Sequence, residues 1–133
     1  MAVKLPRVPE KVEQQHIVQL LRTIGGRVWV LGTKRRRNDF HGTMQTPGVP
    51  DVLAFLPVRA EPGRFVFVWI ECKARGGRLR PEQAQFQALC DAAAVAHVVG
   101  DLDTVIAWLV LHGHVQADQF PHYRQPQTGA ATP

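Results

Sequence analysis

Asp51, Glu71 and Lys73 are the residues of this chain whose types and spacing could do chemistry. Glu71 and Lys73 end the apolar run Phe65-Val66-Phe67-Val68-Trp69-Ile70, and Asp51 opens the run Val52-Leu53-Ala54-Phe55-Leu56. Side chains alternate faces along a strand, so Glu71 and Lys73 share one face and Cys72 takes the other. Opposite charges at the end of a buried strand are costly unless they are paired or bound to something. Alone, the two read as a structural ion pair. Asp51 changes that reading. Pro47-Gly48-Val49-Pro50 is a rigid, turn-rich approach, and if the two runs pair as a hairpin, Asp51 lies beside Glu71 near its open end. Two carboxylates held together repel, which raises a pKa or demands a cation. Their hard oxygens suit Mg²⁺ or Mn²⁺, ions that keep several waters and take phosphate oxygens. Beside such an ion Lys73 can orient a water or stabilise charge on a phosphate, and the ion acidifies water and offsets charge at a leaving oxygen. Two carboxylates, one lysine and a basic surface describe a site for phosphodiester hydrolysis.

The elements that must position these groups follow from the apolar pattern. Val12, Ile17, Leu20, Leu21 and Ile24 recur at helical spacing and predict a helix over 10–24, stopped by Gly25-Gly26. Glu13 points along its apolar face, an unusual direction for a carboxylate. Strands are predicted over 27–31, 50–56 and 64–73, with a hairpin loop over 57–63 that contains two prolines and a glycine. The strand over 64–73 is apolar on both faces and reads as the central strand of a covered sheet. Pro81 suits the first turn of a helix reaching about residue 94, whose apolar face is Phe86, Leu89, Cys90 and Ala93, with Gln83 one turn earlier on the same side. A fourth strand is predicted over 95–99. Asp101 or Asp103 then caps a last helix through Ile106, Trp108, Leu109 and Leu111 that ends near Gly113. The 32–47 stretch is a long polar loop, and 118–133 is polar, proline-bearing and aperiodic, so a disordered tail is expected after a single domain over 1–117. Helix, three strands, helix, strand, helix packs most naturally as an α/β domain, a mixed sheet flanked by helices.

The chain has 133 residues, enough for one domain and a sizeable core, and its 45% hydrophobic content is ordinary. No apolar run is long enough to span a bilayer, and the first ten residues hold no signal-peptide core. A soluble, intracellular (cytoplasmic) chain from a bacterial or phage-type setting is expected, with Cys72 and Cys90 as small core hydrophobes rather than a disulfide. The net charge is +5, with a concentrated block at Lys34-Arg35-Arg36-Arg37. That excess favours a polyanionic partner, and binding driven by phosphate neutralisation weakens steeply as salt rises.

Pro50-Asp51 followed by Glu71-Cys72-Lys73 resembles the PD-(D/E)xK nuclease motif. The wider pattern, Glu13 on a first helix, Gly48-Val49-Pro50-Asp51, Ile70-Glu71-Cys72-Lys73, then Gly77-Arg78-Leu79 and Pro81-Glu82-Gln83, is similar to the VRR-NUC branch of that superfamily and spans 13–109. The resemblance implies a restriction-endonuclease-like αβββαβ core and a Mg²⁺- or Mn²⁺-dependent DNA endonuclease. It implies that Asp51 and Glu71 bind the metal with the Cys72 backbone carbonyl, that Glu13 reaches the metal directly or through water, that Lys73 is the catalytic lysine, and that Gln83 orients Lys73 or the water. The Val98-Val99-Gly100-Asp101 region departs from the pattern, because it lacks the arginines that give the family its name. Single-domain members resemble Holliday junction resolvases acting as homodimers, which implies branched DNA and a second copy of the chain as partners.

Other residues carry weaker signals. Lys34, Arg35, Arg36 and Arg37 suit phosphate binding, and Arg75, Arg78 and Arg80 follow the charged strand where they could grip a DNA backbone. His16, one turn after Glu13, reads as a packing residue. His41 reads as a solvated loop residue, and His112 and His114 have no partner motif. A non-catalytic DNA-binding module on a nuclease-like scaffold, or a flap- or restriction-type nuclease, are the alternatives.

Overall fold

The computed structural model describes residues 7–31 and 46–120. The Lys34-Arg35-Arg36-Arg37 block, His41 and the tail beyond Phe120 lie outside the described residues. The chain runs α1 (Glu10–Thr23), β1 (Arg27–Val30), β2 (Val52–Pro57), β3 (Phe65–Cys72), α2 (Pro81–Ala92), β4 (Ala96–Gly100) and α3 (Leu102–Leu111). The sheet order is β1-β2-β3-β4. β1, β2 and β3 pair antiparallel, whereas β4 lies parallel to β3. A parallel neighbour requires a crossover, and α2 supplies it. The fold is therefore α/β, a four-stranded mixed sheet with three helices, in the expected order. No helix among the described residues is long and apolar enough to cross a membrane.

Strand alternation sorts the core. Val52, Ala54 and Leu56 of β2 share a face with Val68, Ile70 and Cys72 of β3 and with Val98 of β4, and all are buried. Ile17, Val18 and Leu21 of α1 and Val105 and Leu109 of α3 pack with them in one cluster. α1 ends where Gly25, at φ +94°, takes the left-handed conformation, and the Gly26 N–H turns back to the Leu21 carbonyl at 2.8 Å. Cys72 and Cys90 are both free and buried, as expected of small core residues.

Four expectations need correction. β3 is interior to the sheet, but only its Val68-Ile70-Cys72 face is fully covered; of the residues on the other face Phe65 is exposed, and Phe67 and Trp69 are half-buried. The inward side of α2 is Gln83, Phe86 and Cys90, whereas Leu89 is 62% exposed and Ala93 is also exposed. One helix packed at the edge of a sheet needs only a narrow stripe, so the wider apolar face has nothing to cover it. Leu111 is likewise exposed at the end of α3. Ordered structure continues past Asp118, because Ala117–Gln119 forms a 3₁₀ turn and Phe120 packs against the core.

Candidate active site

The β2–β3 ladder ends with Val52 opposite Ile70. Continuing that register by one residue puts Asp51 opposite Glu71, on the face opposite Val52 and Ile70, at the end of the sheet that the first turn of α1 also reaches. The sequence therefore places one carboxylate on each strand of the hairpin, at its open end. Pro50 would then lie opposite Cys72. The Lys73 N–H is directed to β4, onto the Gly100 carbonyl at 2.9 Å. By alternation the Cys72 backbone faces β2, where proline has no N–H to give its carbonyl.

Gly48 holds the approach to Asp51. It sits at φ +93°, and a Cβ there would lie 2.5 Å from the Glu82 carbonyl oxygen in α2. The 46–50 turn is therefore docked directly against the first turn of α2, and only glycine allows both the conformation and the closeness.

Glu71 is 2% exposed, and among the described residues its Oε1 has no hydrogen-bond partner. Its pKa is pushed up to about 8, first by burial, then by the charge of Asp51 and by a proton shared with Asp51; Glu10 adds to the rise and Lys73 opposes it. A buried carboxylate with an orphaned oxygen beside a second carboxylate is a group in need of a proton or a cation. The donor set is hard oxygen, which fits Mg²⁺ or Mn²⁺. Among the described residues no three His, Cys, Asp or Glu side chains converge on one ion. An ion here would be held by Asp51 and Glu71, with the remaining positions left to a backbone carbonyl, water or phosphate.

Lys73 is buried beside them, with Nζ 3.9 Å from Oε1 of the half-exposed Glu10. That distance is a loose ion pair, worth little in energy. Its relevance is positional, since it draws the first turn of α1 toward the site. Glu10 is the residue that sequence reasoning missed. It lies one turn before Glu13 on the same side of α1, a spacing that could have flagged it, but an acidic residue in a first helical turn reads as ordinary dipole compensation.

Glu13 and Gln83 are both buried, as their positions on apolar helix faces implied. Each has a structural partner. Oε2 of Glu13 accepts the Leu102 N–H at 2.7 Å and so caps the start of α3, where Asp101 also accepts the Thr104 N–H at 3.0 Å. Asp101, not Asp103, is thus the side-chain cap. Oε1 of Gln83 accepts the Arg80 N–H at 2.8 Å, closing the first turn of α2. Burial, followed by the surrounding carboxylates, pushes the Cys72 thiol up, so it stays neutral and inert.

A cleft of ≈ 570 Å³ opens beside Lys73, lined among others by Arg75, Gly77, Gly100, Asp101 and Thr104. Arg75, Arg78 and Arg80 are all exposed around its rim and the loop into α2. His16 is exposed and not the packing residue its place beside an apolar face implied, His112 is exposed too, and His114 is buried with Nδ1 2.9 Å from the Pro57 carbonyl oxygen, so none of the three joins the site. Compared with models of known protein families, with curated proteins and with solved structures, the chain matches none.

Proposed function

We propose that this chain is a divalent-metal-dependent DNA endonuclease with a restriction-endonuclease-like core of the VRR-NUC kind, acting as a homodimer on branched DNA. One observation carries the reading: Glu71 is buried with an orphaned oxygen beside Asp51, and Lys73 lies next to it. No apolar packing need explains that arrangement, and its electrostatic cost falls away when a cation sits between the carboxylates. The element order α1-β1-β2-β3-α2-β4 supports the fold assignment.

Asp51 and Glu71 would hold Mg²⁺ or Mn²⁺, with the Cys72 carbonyl as a neighbouring oxygen. Such an ion, when bound, lowers the pKa of water and offsets charge on the scissile phosphate. The Lys73 ammonium, anchored through its own backbone to β4, orients the attacking water and stabilises charge on the phosphate oxygens. Gln83 fixes the α2 terminus behind the site, and Arg75, Arg78 and Arg80 supply phosphate contacts on the exposed rim.

The test is a panel of linear, flap, fork and four-way DNA incubated with and without Mg²⁺. Wild-type protein is expected to cut branched DNA only with the metal, and Asp51→Ala and Lys73→Ala each to cut at least about 100-fold more slowly. Wild-type-like cutting by either variant removes the proposed chemistry. Metal-free binding with no cleavage under Mg²⁺ or Mn²⁺ would make the chain a DNA-binding module instead.

A further inference from the structure

The sheet face that carries Asp51 and Glu71 is covered only in part. α2 lies over its β4 side, where Phe86 meets Trp69 with ring centroids 5.3 Å apart and His97 at 6.0 Å. Beyond α2 the rings continue across the sheet: Trp69 to Phe67 at 5.5 Å, Phe67 to Phe55 at 5.4 Å, and Phe55 to Trp29 at 5.8 Å. The outer members are open, with Trp29 50%, Phe65 48% and Phe55 38% exposed. Arg27 pairs with Phe55, and Phe55 with Phe67, so an exposed guanidinium stands in the same row as the rings. Reading along β3 on this face gives Phe65, Phe67, Trp69 and then Glu71; along β2 it gives Phe55, Leu53 and then Asp51.

A contiguous apolar face of this kind marks an interaction site. Its contents choose the occupant. An arginine set among aromatic rings, on a chain of net charge +5, matches a polyanion that also offers flat π faces. Paired bases inside a duplex do not present those faces; unpaired bases do. Along β2 and β3 the same face ends at the two carboxylates, past Leu53 and the Trp69 ring that Phe86 of α2 partly covers. We propose that Trp29, Phe55 and Phe65, with Arg27, stack and grip unpaired bases of a DNA strand that runs into the Asp51–Glu71 site. This rests on the nuclease reading above and narrows its substrate to DNA with a single-stranded segment, such as a fork or flap arm.

The test measures binding by fluorescence anisotropy without metal, using a labelled oligo-dT and a blunt duplex of equal length. Wild-type protein is expected to bind oligo-dT, with Trp29→Ala and Phe55→Ala each weakening that binding at least about fivefold and changing duplex binding by less than about twofold. Trp29→Tyr, which keeps a stacking ring, is expected to restore most of the affinity. Equal oligo-dT affinity in wild type and both alanine variants overturns the proposal. So does a Trp29→Ala protein that sediments as a monomer where wild type is a dimer while binding oligo-dT equally well, which would give the face to a second copy. Neither readout needs cleavage. Loss of oligo-dT binding in Trp29→Ala, from a chain that cuts nothing, supports the face and sinks the nuclease; unchanged binding in a chain that still cuts branched DNA sinks the face alone.

Discussion

Burial and charge conflict most sharply at Glu71. Its carboxyl is held at about 8 against an ordinary 4.5, so between those two values the folded protein keeps a proton that the unfolded chain has released. Folded stability contributed by this group is therefore greatest at low pH and declines as pH rises through that window. Glu71→Gln carries an amide with no proton to lose. Metal-free wild type should lose melting temperature relative to Glu71→Gln as pH is raised from 5 to 8, and at pH 8 the variant should be more stable by on the order of 1 kcal/mol. Thermal melts of the two proteins across that range check this, and parallel profiles would show that Glu71 titrates normally. A bound cation favours the ionised carboxylate, so Mg²⁺ affinity should run the other way and rise with pH.

At the scale of elements, two contacts brace the scaffold, and one of them holds the approach to Asp51. Glu13 ties α1 to the start of α3 through the Leu102 N–H. Glu13→Ala removes that cap and should cost about 1–2 kcal/mol, measurable by urea denaturation, whereas Glu13→Gln keeps a carbonyl acceptor and should stay within about 0.5 kcal/mol of wild type. If Glu13→Gln also cuts DNA normally, its role is the cap alone. Gly48 ties the approach of β2 to α2, and Gly48→Ala would combine a left-handed φ with a Cβ driven against the Glu82 carbonyl. A loss of about 1–3 kcal/mol is expected, with cleavage slowed more than in a core variant of equal cost because Asp51 moves with the turn. Much of this scaffold was legible. Ile17 and Leu21 at helical spacing, Gly25 after them, and Pro81 at the head of α2 each dictate local structure by themselves. Leu89 was not legible as exposed, because α2 is apolar on more sides than one and only its place at the sheet edge selects Gln83, Phe86 and Cys90. The β3 run misled for the same reason: Phe65, Phe67 and Trp69 look identical in sequence whether a helix covers them or nothing does.

Across the whole molecule the sheet divides two tasks. One face packs against α1 and α3 and forms the core; the other carries Asp51 and Glu71 at one end and open aromatic rings beyond α2. The pairing of Asp51 with Glu71 could be foreseen because a hairpin leaves few registers, and alternation fixes which side chains meet. Glu10 could not, since its approach to Lys73 depends on how α1 crosses the sheet, a long-range packing choice that no local pattern encodes. The most direct measurement of the central claim is Mn²⁺ binding to metal-free protein at pH 8, followed by the loss of the free-ion electron paramagnetic resonance signal. Wild type should show a saturable site that Asp51→Asn and Glu71→Gln each weaken at least about tenfold; Mn²⁺ binding that is absent in wild type, or equal in all three proteins, contradicts a cation site between these carboxylates.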